Sequence, residues 1–147
     1  LDREDRQTLN VIRDRVKQIG REIEGSKLRS AANHMVSLSR IGNKYLNEKK
    51  PWKVVKNNRE KAGDTVYVVV QIVKALAVVS SPFIPSVAQE LWTKLCLSGK
   101  VSEESWTEAL NPLPAGHKVS EAEPLFQKIE ADRQELKERL KKIRKRS

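Results

Sequence analysis

The sequence predicts an all-α fold, an antiparallel helix bundle, from three observations. Apolar residues recur at steps of three and four in several separate stretches. Glycine or proline stands between those stretches, where helices stop and start. The 147 residues suffice for one domain with a sizeable core, and 33% charged with 38% hydrophobic residues suits a soluble helical protein better than a disordered one.

The first helix is read from Leu9, Ile12, Val16, Ile19 and Ile23, one apolar stripe with charged residues on the other faces. Gly25 ends it, and Ser26 is placed to cap its successor. That second helix runs to about Asn47 and turns Leu28, Ala31, Met35, Leu38, Gly42 and Leu46 inward. Ala31 and Gly42 are small enough to let another helix approach closely. Pro51 marks the stop.

The run from Thr65 to Ser80 is rich in valine, and local propensity favours a strand. Its length without a turn signal favours a helix buried on most sides, with Asp64 as the cap. A central helix is the expectation. Pro85 suits the first turn of another helix, which presents Val87, Leu91 and Leu95, with Trp92 and Cys96 adjoining and Gly99 as its stop. Pro112, Pro114 and Gly116 make Trp106 to Glu123 an extended connection, followed by Pro124-Leu125-Phe126. Leu136, Leu140 and Ile143 mark a last amphipathic helix. Residues 1–130 are thus expected to form the bundle and 131–147 a basic C-terminal helix.

The formal charge of +10 points to a polyanionic partner, nucleic acid or an acidic membrane surface. Cys96 is alone, so an intrachain disulfide and a cysteine metal cluster are excluded, and it reads as a small core residue. His34 and His117 lack ligand spacing, and no metal site is expected. The charged start Leu1-Asp2-Arg3-Glu4-Asp5 is no signal peptide. The apolar run Val66 to Val79, interrupted by Gln71 and Lys74, reads as too short and too polar to span a bilayer. A cytoplasmic location follows as an expectation. Leu1 is not an initiator methionine, so the chain is expected to be a fragment of a longer protein.

Catalytic patterns are absent: no glycine-rich phosphate loop, no His-Glu-x-x-His, no Gly-x-Ser-x-Gly. Glu103 and Glu104 are sequence neighbours that point apart, a surface pair rather than an acid–base couple. A binding module without a cofactor is the expectation.

Trp52 follows Pro51 among Lys49, Lys50, Lys53 and Lys56, with Arg59 and Lys61 close behind. An indole offers a nucleobase a stacking face, and ammonium groups around it hold the accompanying phosphates. Equally, the ring could be core at a helix start, with solvated lysines beside it. The residues alone leave both readings open.

Three stretches together resemble the α-helical anticodon-binding domain of methionyl-tRNA synthetases. They are NKYLNEKKPWKVVKN from Asn43 to Asn57, SSPFIPSVAQELW from Ser80 to Trp92, and LPAGHKVSEAEPLFQKIE from Leu113 to Glu130. The first two occur in related class I synthetases, and the third is similar to the methionine enzyme in particular. The resemblance covers the chain from about Asp5 to Glu130 and implies a bundle of the class I aminoacyl-tRNA synthetase anticodon-binding type. It implies recognition of methionine tRNA, with Trp52 against the first anticodon base and hydrogen bonds to base edges supplying sequence choice. Asn43, Lys49, Lys50, Lys53 and Lys56 are the accompanying tRNA-binding candidates, and Tyr45 either lines that surface or belongs to the core. For His117 the resemblance implies packing against the bundle, and Gly116 permits a positive-φ turn.

The family also reads the anticodon with an asparagine and an arginine on a preceding helix, which nothing here matches. Either the bundle lacks its first helix, or this chain does not read the anticodon in the usual way. The synthetase nucleotide-binding signatures are missing too. The parent would be a methionine–tRNA ligase using ATP and methionine, and the fragment itself would not catalyse. Its implied partners are methionine tRNA and the parent's catalytic domain, with no membrane.

The last helix carries Lys137, Arg139, Lys141, Lys142, Arg144, Lys145 and Arg146 against Glu135 and Glu138. Lys141, Lys142, Arg144 and Lys145 either contact tRNA phosphates non-specifically or form a solvated face. The competing function is a helical protein–protein scaffold that docks through the apolar stripe of the first helix.

Overall fold

The computed structural model describes residues 1–121 and 125, and these form helices α1 (Arg3–Glu24), α2 (Leu28–Lys49), α3 (Pro51–Val54), α4 (Arg59–Ser80) and α5 (Pro85–Lys94). Two 3₁₀ turns follow at Val101–Glu103 and Trp106–Leu110. The expected helix from Ala131 and the Pro124-Leu125-Phe126 segment fall outside the described residues, apart from Leu125.

A reciprocal cap starts α1. The Asp5 backbone N–H donates to the Asp2 carboxylate at 2.9 Å, and the Asp2 N–H donates to Asp5 at 2.8 Å. Its stripe is core: Ile12, Val16 and Ile19 are buried, with Leu9 and Ile23 packed against them. The scaffold reading, which needed that stripe unpartnered, is therefore corrected. Gly25 does close α1, yet Ser26 takes the left-handed conformation (φ 58°) and makes no cap, leaving α2 to begin after Lys27.

Along α2, Ala31 and Leu38 are buried as expected, whereas Leu28 is 57% exposed. Gly42 provides the close approach: an added Cβ would lie 2.9 Å from Ile72 Cγ2 on α4. Gly42→Ala should therefore lower stability by about 1–3 kcal/mol, through overpacking at a helix crossing. A urea titration reads it, and an unchanged midpoint would mean that the two helices separate without cost.

Helix α4 is the hub, packing against all six other elements. It begins earlier than the sequence suggested. Asn58, not Asp64, is the cap, accepting from the Lys61 N–H at 2.9 Å, while the Asp64 carboxylate lies 2.8 Å from the Leu1 nitrogen. Contacts from several sides override the valine-rich strand preference. By length and composition α4 could cross a membrane, contrary to the sequence reading, but 56% of its most apolar 18 residues are buried and it is the core helix of the bundle.

The long helices alternate in direction. Lys49 at the end of α2 meets Asp2 and Asp5 at the start of α1, and Leu1 meets Asp64 near the start of α4. Helix α5 has Pro85 in its first turn and stops at Lys94, before Gly99. Cys96 is exposed with φ 54°, so it is not the core residue expected.

The stretch after Trp106 is not simply extended. Its first residues form a 3₁₀ turn held by Lys74 on α4, which is only 2% exposed. The Lys74 ammonium donates to Glu108 and to the Asn111 carbonyl, the latter at 2.8 Å. That bond to Lys74 holds the Glu108 carboxyl below the usual carboxylate range, with Asn111 adding to it.

Candidate nucleic-acid interface

The end of α2 is fixed by an acidic cage around Lys49. Its ammonium lies 2.7 Å from Asp2, 2.9 Å from Asp5 and 3.0 Å from Glu4, with the side chain 8% exposed. Tyr45 is buried and donates to Asp5 at 2.7 Å, which settles it as core. Burial pushes the Tyr45 hydroxyl up and its bond to Asp5 adds to that. Burial alone would also lower Lys49 and raise Asp5, but their mutual hydrogen bonds outweigh it: Lys49 is raised and Asp5 depressed. Lys49 thus does not offer phosphate a free ammonium. It is spent on locking α2 to α1.

Directly after this lock the chain turns. Lys50 is left-handed (φ 45°), Pro51 opens α3 and is buried, and Trp52 is left 51% exposed. Neighbouring helix positions face about 100° apart, so burying Pro51 rotates the indole outward. The other tryptophans are engaged. Trp92 is buried and donates to the Ser98 carbonyl at 2.9 Å, and Trp106 donates to the Val16 carbonyl at 3.1 Å.

Trp52 borders an open, mostly apolar groove of about 590 Å³ between α3, α4 and the segment from Pro114 to His117. Val55, Arg59, Gly63 and Val66 also line it, and Gln71 contributes to its wall. The far wall is clamped in place. Gln71 accepts from the Leu113 N–H at 2.8 Å and donates to the Leu113 carbonyl at 3.2 Å. His117 Nε2 donates to the Leu95 carbonyl at 2.6 Å, and Gly116 takes φ 79°. His117 therefore packs back on the bundle as expected, at the cavity's edge.

Lys50, Lys53, Lys56, Arg59 and Lys61 are all exposed, and their charges are unpaired among the described residues. Asn43 is exposed on α2 and does not line the groove. Lys141, Lys142, Arg144 and Lys145 lie outside the described residues. No group of three or more potential metal ligands occurs among the described residues. Glu103 is exposed and pairs with Lys100 at 3.1 Å, a surface role. Sequence reasoning singled out Trp52 but missed the groove's opposite wall, because the segment from Pro114 to His117 is held by contacts distant in sequence, Gln71 to Leu113 and His117 to Leu95.

An open indole, a cavity of this size, Arg59 in its lining and exposed lysines nearby in sequence suit an unstacked base with its phosphates. Comparison with known proteins agrees with that geometry. The family described as the anticodon binding domain of methionyl tRNA ligase matches residues 1–145. The methionine–tRNA ligase of Sulfolobus acidocaldarius is 35% identical over 143 residues, covering 96% of this chain and 25% of that protein. That of Thermococcus kodakarensis is 39% identical over 125 residues (85% and 16%), and that of Pyrococcus horikoshii 38% over 129 (88% and 17%). The chain spans a quarter or less of the length of these relatives. With a match across nearly its whole length, the chain belongs to the family of methionyl-tRNA ligase anticodon-binding domains.

Proposed function

We propose that the chain binds the anticodon loop of methionine tRNA, with the Trp52 indole as the stacking platform for an unpaired loop base. The observation that carries this reading is the half-exposed ring on an open apolar groove whose lining includes Arg59, in a molecule whose other indoles are engaged. Lys50, Lys53 and Lys56 are exposed within four residues of the ring in sequence and would meet the accompanying phosphates, and Arg59 lines the groove itself. Lys49 acts indirectly, by fixing the end of α2 from which Pro51 and Trp52 project. Within a cytoplasmic methionine–tRNA ligase this piece would supply tRNA selection. ATP, methionine and the bond-forming chemistry would belong to the rest of the protein.

Binding of methionine tRNA against an anticodon-swapped tRNA tests the reading. The matched tRNA should bind more tightly, and the logarithm of affinity should fall with log salt by about 0.7 for each single-stranded phosphate neutralised. Three such contacts give a slope near −2. Equal affinity for both tRNAs with a flat salt response would remove the proposal.

A further inference from the structure

We infer that His117 reads the edge of the base stacked on Trp52, accepting a hydrogen from the exocyclic amine of a cytosine or adenine; this rests on the stacking reading above. His117 and Trp52 line the same groove. A carbonyl can only accept, so the 2.6 Å bond to Leu95 requires the hydrogen on Nε2. In the neutral ring Nδ1 is then an acceptor, and it has no partner among the described residues.

The ring is also fixed in place. The His117 backbone N–H donates to the Pro114 carbonyl at 3.2 Å, and Gln71 holds Leu113 through both of its amide atoms. Of the other polar side chains on the groove, Arg59 only donates, Gln71 is committed, and the Tyr67 hydroxyl can serve either way. Nδ1 is the acceptor that cannot become a donor by rotating a hydroxyl. Opposite an amine it gains a hydrogen bond; opposite the carbonyl oxygen of a uracil it sets two acceptors face to face.

The test uses the full chain and anticodon stem-loop RNAs. The stacked position is located first, as the one where an abasic nucleotide removes the penalty of Trp52→Ala. There the natural base is compared with its counterpart lacking the exocyclic amine. The unsubstituted chain should prefer the amine-bearing RNA about three- to tenfold, the value of one neutral hydrogen bond. His117→Arg, which keeps an N–H for Leu95 but has no acceptor, should bring that ratio to about one. His117→Gln, which supplies both, should keep it. Equal binding of the two RNAs by the unsubstituted chain overturns the proposal without any variant, and so does an undiminished ratio in His117→Arg. The stacking reading fails separately, if Trp52→Ala costs nothing at any loop position.

Discussion

Trp52→Ala is expected to weaken binding of methionine tRNA by about 1–3 kcal/mol, the range for one base stacked on an aromatic ring. That is roughly five- to 150-fold in Kd. The fold should tolerate the change, because the ring is half exposed and its N–H makes no bond among the described residues. The thermal midpoint should therefore stay close to that of the unsubstituted chain. Trp52→Phe should recover part of the affinity, since a smaller ring still offers a face. Isothermal titration together with a melting curve separates the two effects. A large fall in midpoint would show that the ring supports the bundle, and the loss of binding would then say nothing about stacking.

The second large effect lies far from the groove. Glu108→Ala should destabilise the chain by about 3–5 kcal/mol, because it strands the Lys74 ammonium in the interior. Lys74 is 2% exposed, and its remaining contact would be the Asn111 carbonyl. In a chain of this size that corresponds to a fall in Tm of roughly 10–16 °C. The pair is asymmetric: Glu108 is 27% exposed, so Lys74→Met should cost less, leaving a carboxylate that water can reach. The double change Lys74→Met with Glu108→Leu should recover most of the loss. The folded-state pKa of Glu108 is depressed, so its contribution is present above its unfolded value and disappears as pH falls through the folded one. Acidification should accordingly cost the unsubstituted chain more stability than it costs Glu108→Ala. Matching slopes of Tm against pH below about 4 would show that the pair contributes no linkage.

Much of the fold was legible because helix periodicity and proline act locally. Ile12, Val16, Ile19, Ala31 and Leu38 face inward as their spacing requires, and Pro85 opens α5. What failed depended on partners distant in sequence. Lys49 could not be known to be caged by carboxylates more than forty residues earlier. Ser26 and Cys96 both take positive φ, which short-range pattern assigns to glycine or asparagine. At the site, the indole and the lysines near it in sequence were visible, while the groove was not. Its second wall is held by Gln71, which reads as a polar interruption in an apolar run yet spends both amide atoms on Leu113, and by the bond from His117 to Leu95.

The unequal environments of the three indoles also give the molecule a built-in optical reporter. A collisional quencher such as acrylamide should reach Trp52 far more readily than Trp92, which is buried, or Trp106, whose N–H is tied to α1. Emission that shifts when RNA is added can then be attributed chiefly to one ring, and occupancy of the groove can be followed without attaching a dye.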